Sequence, residues 1–214
     1  MGKTIQSIDR AFIILEMIAN GKYTKLIDIT RHTKLKTSTV HGILTTLEKN
    51  GYIVKLPDTK NYSLSINSMM LGYHYKTRTN IDEHLHVFLN KLMKETMETV
   101  YFIIKTGDGY YFYDTVLSLH PLKVTTDQDK FIYMPPQSAV EHAYTNYCSE
   151  NYTYSQDLEK VYKGLHCMGI PYVVNNKVVG VFGITGPSTR FTIEKMDNAF
   201  IKFKKIARNT IFKY

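Results

Sequence analysis

Residues 36–50 read Lys-Thr-Ser-Thr-Val-His-Gly-Ile-Leu-Thr-Thr-Leu-Glu-Lys-Asn. Two kinds of side chain alternate there at helical spacing. Val40, Ile43, Leu44 and Leu47 fall within about 100° of one another on a helical wheel. Ser38, Thr39, His41, Gly42, Thr45, Thr46 and Lys49 take the opposite side. Short hydroxyls and an imidazole can come close to base edges, and a helix of this size fits the major groove of duplex DNA. An ordinary solvent face would carry the better helix formers Glu, Lys and Gln. Cations stand around this helix. Lys34 and Lys36 precede it, Arg10 opens an earlier helix, and Lys55 and Lys60 flank a later turn. All five are candidates for phosphate contacts.

The elements that must position these groups can be read from the same stretch. Ile8, Ala11, Phe12, Leu15 and Ile18 form one helical face, with Ser7 as the expected N-cap and Asn20-Gly21 as the stop. Leu26, Ile27 and Ile29 predict a short second helix. The Val40–Leu47 face predicts a third, closed by Asn50-Gly51. Strands are expected at Tyr52–Leu56 and Asn61–Leu64, joined by the turn Pro57-Asp58-Thr59-Lys60. Three helices followed by a hairpin is the order of a winged helix-turn-helix, expected over residues 1–66. Charge follows the same division. Residues 1–78 carry 12 Lys and Arg against 5 Asp and Glu, whereas residues 79–214 carry 15 against 14. Nearly all of the net charge of +8 therefore sits in the first third, as a polyanion partner would require.

Other chemistries find little support. Two cysteines, Cys148 and Cys167, cannot build a disulfide framework or a cysteine-only metal site. His84 and His86 lack a matching carboxylate cluster, so no metal is expected. There is no Gly-x-Ser-x-Gly, no His-Glu-x-x-His and no phosphate-cradling glycine loop, so neither an enzyme nor a cofactor is expected. No apolar run reaches the ~18 residues of a membrane helix, and Met1 to Gln6 lacks the apolar core of a signal peptide. These features predict a cytoplasmic protein without a membrane partner.

The remainder predicts an α+β module. Met69-Met70-Leu71 lies in an expected linker helix over residues 67–80, with the domain boundary near Thr77–Asn80. The module of residues 81–214 begins with a helix over His84–Glu98. Strands Val100–Lys105 and Tyr110–Val116 follow around Gly107-Asp108-Gly109. A second hairpin turns at Asn175-Asn176-Lys177, and a last helix follows Thr192. The aromatic stretch Tyr101–Tyr113 reads as sheet core, because the interleaved Asp108 and Asp114 disfavour nucleic acid there.

The sequence resembles the IclR-type transcriptional regulators. The resemblance runs through Ile5-Gln6-Ser7-Ile8-Asp9-Arg10-Ala11, Leu35–His41, Leu47–Ile53 and Tyr62-Ser63-Leu64, then Gly164-Leu165-His166-Cys167 and Gly186-Pro187-Ser188-Thr189-Arg190-Phe191-Thr192. It implies a winged helix-turn-helix joined by a linker helix to a GAF-like antiparallel-sheet effector domain. It also implies a repressor that binds a pseudo-palindromic operator as a homodimer or homotetramer. Thr37 and Gly42 stand where the family usually has Lys and Arg, which predicts a different DNA sequence preference. For the effector, a metabolite acid or aromatic, the resemblance points to Gln137, Ser138, Asp157, Cys167, Gly183 and Thr185. His142 replaces a usual glycine and the segment 144–163 is short, so a shallower or partly filled site is expected. Two other readings stand beside this one: a GAF-like thiol sensor or enzyme using Cys148 or Cys167, and a DNA-binding scaffold without ligand control.

Overall fold

The computed structural model describes residues 4–107, 109–125, 131–148, 151–208, 210 and 212. Asp108 of the expected turn and the first three residues of the amino-terminal stretch lie outside the described residues. The chain divides into two compact units, Met1–Thr79 and Asn80–Tyr214.

The first unit contains α1 (Gln6–Ala19), α2 (Leu26–Thr33) and α3 (Thr37–Lys49). Strands β1 (Ile53–Lys55) and β2 (Tyr62–Leu64) follow, then α4 (Ile66–Thr79). The apolar face of each helix turns inward as the spacing predicts. Ile14, Ile18, Ile29, Val40, Leu44, Ile53 and Tyr62 form one buried cluster. α1 begins one residue before Ser7, so the expected cap is wrong: Ile5 occupies that position and supplies no side-chain hydrogen bond. The wing strands are shorter than expected, three residues each, paired antiparallel with Val54 opposite Ser63. Gly51 (φ +74°) turns the chain out of α3. A Cβ there would stand 2.6 Å from Asn67 Nδ2, so only glycine fits. α4 is tied to this turn. The Ser68 hydroxyl donates to Tyr52 O at 2.8 Å, and Asn67 Nδ2 donates to Asn50 O at 3.3 Å.

The second unit opens with α5 (Ile81–Thr96), β3 (Thr99–Thr106), β4 (Gly109–Val116), β5 (Phe131–Ile132) and α6 (Ala139–Thr145). It closes with β6 (Ser155–Leu158), β7 (Leu165–Val174), β8 (Lys177–Pro187) and α7 (Ile193–Ala207). Six antiparallel strands form one sheet in the order β5-β4-β3-β8-β7-β6. One buried cluster joins it to α5 and α7 through Phe88, Leu89, Leu92, Phe182, Met196 and Phe203. A second joins it to α6 through Tyr101, Ile103, Phe112, Val140, Ala143 and Val181. The segment 144–163 is short but not featureless. It supplies the edge strand β6, which the sequence reading did not expect.

Candidate functional site

On α3 the structure divides the polar side that the wheel groups together. Thr37, Ser38, His41, Thr45 and Lys49 are exposed. Thr39 is half-buried. Ser38, Thr39, Gly42 and Thr46 also line an apolar groove of about 760 Å³ with Ile8, Phe12, Leu47 and Leu71. Gly42 and Thr39 therefore sit toward α1, and the Thr46 hydroxyl bonds back to Gly42 O at 2.8 Å. Thr37, His41 and Thr45 lie clear of the groove. Lys36 is the N-cap of α3 and Lys34 the left-handed C-cap of α2 (φ +55°), so both exposed cations stand at the helix-turn-helix junction. Lys55 and Lys60 are exposed on the wing, and Lys60 takes a left-handed turn conformation (φ +56°). Arg10 is half-buried on α1.

In the second unit, register gathers residues that are far apart in sequence. Asp157 pairs with Cys167, Cys167 with Thr185, and Thr185 with Thr99. Register partners share a face, so these four form a row across β6, β7, β8 and β3. Cys167 Sγ and Thr185 Oγ1 are 3.0 Å apart, and the Thr185 hydroxyl also reaches His166 O at 3.3 Å. Asp157, 3% exposed, accepts hydrogen bonds on Oδ1 from Lys160 N (2.8 Å) and Val161 N (3.4 Å). Burial pushes the Cys167 thiol up to about 11, and the neighbouring Asp157 carboxylate adds to this against the opposing Thr185 bond. Such a thiol stays protonated at neutral pH, the opposite of what a reactive sensor cysteine needs.

A cavity of about 360 Å³ lies over this row, lined by Asp157, Cys167, Thr185 and Ser138 together with Tyr101 and Phe112. Ser138 contributes as the N-cap of α6, accepting from Glu141 N at 3.1 Å. Two expected residues are not brought to it. Gln137 is exposed on the turn before α6 and does not line the cavity. Gly183 is buried beneath Tyr101, whose ring would lie 2.0 Å from a Cβ at that position, so it makes room for the ring without lining the cavity. His142 points to neither role: it lines a separate polar cleft with Cys148 and Asp197, so the expected filling of this cavity by its side chain does not occur. Sequence reasoning missed Tyr101, because an aromatic in an apolar strand carries no signal of what it faces.

The stretch Gly186–Thr192 is structural. A Cβ at Gly186 would press on the Glu98 carboxyl group at 2.6 Å. Glu98 is 2% exposed and takes a two-point bond from Arg190: Nε to Oε1 at 2.5 Å and Nη2 to Oε2 at 2.8 Å. Arg190 Nη2 also donates to Leu122 O. Ser188 N donates to Gly164 O at 2.8 Å, which holds the two glycine stretches together. Thr192 then caps α7. Among the described residues no group of three or more His, Cys, Asp or Glu could hold a metal ion, and no helix is long and apolar enough to cross a membrane.

Residues 7–57 match the IclR helix-turn-helix domain family. The transcriptional repressor IclR of Escherichia coli is 30% identical over 98 residues, covering 45% of this chain and 35% of that repressor. The regulator XynR of the same organism is 32% identical over 110 residues, 50% of this chain and 43% of its own. The matched stretch thus spans less than half the length of these two curated relatives. A glycerol operon regulatory protein of Streptomyces griseus is 23% identical and matches over 89% of this chain and 88% of its own length. Among solved structures, an IclR-family regulator from Brucella abortus has a TM-score of 0.61 at 16% identity, covering 96% of this chain and 91% of its own. The Thermotoga maritima IclR structure gives 0.52 at 20%, with 96% and 97% covered. The helix-turn-helix match and the shared fold agree: residues 7–57 carry an IclR-type helix-turn-helix domain, and the chain as a whole has the fold of the solved IclR-family regulators.

Proposed function

We propose that this protein is a sequence-specific DNA-binding regulator, working in the cytoplasm as a repressor whose second unit senses a small molecule. The helix-turn-helix carries the reading: α3 presents Thr37, Ser38, His41 and Thr45 to solvent, with Lys34, Lys36, Lys55 and Lys60 around them. Exposed short hydroxyls and an imidazole are suited to base edges, and the surrounding ammonium groups to phosphates. Thr39 and Gly42 line the groove shared with α1, and a Cβ at Gly42 would meet nothing within 4 Å, so no packing contact calls for a glycine there. Residues 1–66 would bind the DNA, residues 67–80 would link, and residues 81–214 would carry the effector cavity and oligomer contacts.

A homodimer, or a pair of dimers, fits the same picture. One winged helix contacts few base pairs, and two-fold proteins read pseudo-palindromic sites. The apolar groove on the first unit, with Phe12 61% and Leu71 58% exposed, supports a second copy as its cover. In the second unit Asp157, Cys167, Thr185 and Ser138 support a binding cavity of ordinary ligand size. Such a ligand changes DNA affinity only if it prefers one conformation, with coupling of typically ~1–3 kcal/mol.

Selecting bound fragments from a random duplex library with the parent and with His41→Ala tests the central point. A changed preferred sequence is the expected result. An unchanged sequence at unchanged affinity removes the base-reading role.

A further inference from the structure

The cavity over the sheet is lined by a buried phenol beside a buried carboxylate. Tyr101 is 4% exposed and lines the cavity, and its ring end lies over Gly183. The phenol lies within electrostatic reach of Cys167 and Asp157, which together with burial hold its proton firmly. A phenol both donates and accepts, so a ligand hydroxyl in the cavity can use it. Across the cavity Asp157 uses only Oδ1 for Lys160 N and Val161 N, so its other oxygen is left to accept.

The charge of the wall is equally specific. Among the described residues lining the cavity, Asp157 is the sole charged side chain, and Lys, Arg and His are absent. The rest is uncharged: Phe112, Val124, Ile132, Met134 and Leu165 are apolar, and Thr125, Ser138 and Thr185 add hydroxyls. An organic anion would enter against a buried carboxylate, and no described lining residue offers a cation to replace its water, which is unfavourable. An alcohol meets no such barrier. Its hydroxyl can donate to Asp157 and accept from the Tyr101 phenol at the same time.

We propose that this cavity takes an uncharged molecule bearing a hydroxyl on a ring-sized apolar body, and discriminates against the corresponding carboxylate. The proposal rests on reading the cavity as the effector site and narrows the expected metabolite acid or aromatic to one charge class. Tyr101 and Asp157 are the selecting residues. Thr185 and Cys167, already bonded to each other, form the floor.

The test uses the full chain and two probes of equal ring size, benzyl alcohol and benzoate, titrated at neutral pH by ligand-observed NMR. Benzyl alcohol should bind at least tenfold more tightly than benzoate. Tyr101→Phe should weaken the alcohol at least fivefold. Asp157→Asn keeps an oxygen for Lys160 N and Val161 N, and should bring the two probes within about threefold by admitting benzoate. If benzoate binds the parent as well as the alcohol does, charge selection is overturned and the cavity survives as a binding site. If Tyr101→Phe changes nothing while the parent binds the alcohol, the selecting role of Tyr101 is overturned and the cavity stands; if neither probe binds the parent, the proposal and the effector reading of this cavity fall together. Should either variant misfold, the ratio of the two probes on the parent still decides.

Discussion

The polar groups of α3 and those of the sheet row solve opposite problems with similar side chains. Thr37, Ser38, His41 and Thr45 are exposed on a helix whose own backbone is already bonded. They are held in place by the helix and completed only by something outside the molecule. Thr99, Thr185, Asp157 and Ser138 are nearly inaccessible, and each has a partner within the protein: Val124 O, His166 O and the Cys167 thiol, Lys160 N, and Glu141 N. A hydroxyl on the surface of α3 is accessible from outside. A hydroxyl in the row is a brace, bonded within the protein. The difference predicts that substitutions in the two places separate binding from stability.

The sharpest break should come from Arg190→Ala. It strands the buried Glu98 carboxylate without its two-point partner, and losing one member of such a pair costs about 3–5 kcal/mol. Urea unfolding should show the second unit lost early. A variant as stable as the parent would mean that Glu98 is protonated or solvated in the fold. On the reading surface, His41→Ala should cost ~1–3 kcal/mol of discrimination at one operator position. It should move unfolding by less than about 0.5 kcal/mol, as exposed positions do. Competition binding across single-base operator variants, beside a thermal melt, checks both halves of that statement.

Smaller effects refine the contrast. Thr185→Val removes the hydroxyl from Cys167 and should cost about 1 kcal/mol of stability while leaving DNA sequence preference alone. Because that hydroxyl holds the thiol down, its loss should raise Cys167 further. The sign of the pH dependence follows. The fold favours the protonated thiol, so this contribution is intact below pH 9 and disappears as pH rises toward 11. At pH 8 a thiol reagent should label the exposed Cys148 and spare Cys167, as peptide mapping would show. Lys60→Ala, on the wing, should change least: the slope of log affinity against log salt should flatten by about 0.9 with no change in preferred sequence.

The two regions were also unequally legible. α3 could be read from spacing alone, because its inward and outward residues are neighbours at 3.6-residue period. Even there the wheel could not say that Thr39 and Gly42 line a groove with α1 residues, since a wheel shows one helix without its neighbour. In the sheet, Asp157, Cys167 and Thr185 meet only through the β6-β7-β8 register, which periodicity does not encode. Resemblance to a family supplied those three. It also supplied Gln137 and Gly183, which this chain uses for an exposed turn and for the space beneath Tyr101. β6 escaped notice because Ser-Gln-Asp-Leu lacks the alternation of a strand and pairs on one side only, at the sheet edge.

The clasp between Glu98 and Arg190 has a consequence for the order in which the protein comes into being. Its partners are 92 residues apart, and β3, immediately after Glu98, must wait for β8, immediately before Arg190. At a synthesis rate of about 5–20 residues per second, roughly 5–18 s pass between the two halves of that pair. The helix-turn-helix needs only contacts among residues made before Asn80. On the ribosome the helix-turn-helix is therefore made before any strand of the six-stranded sheet, and every new molecule passes through an interval in which its first unit is complete and its second has no core.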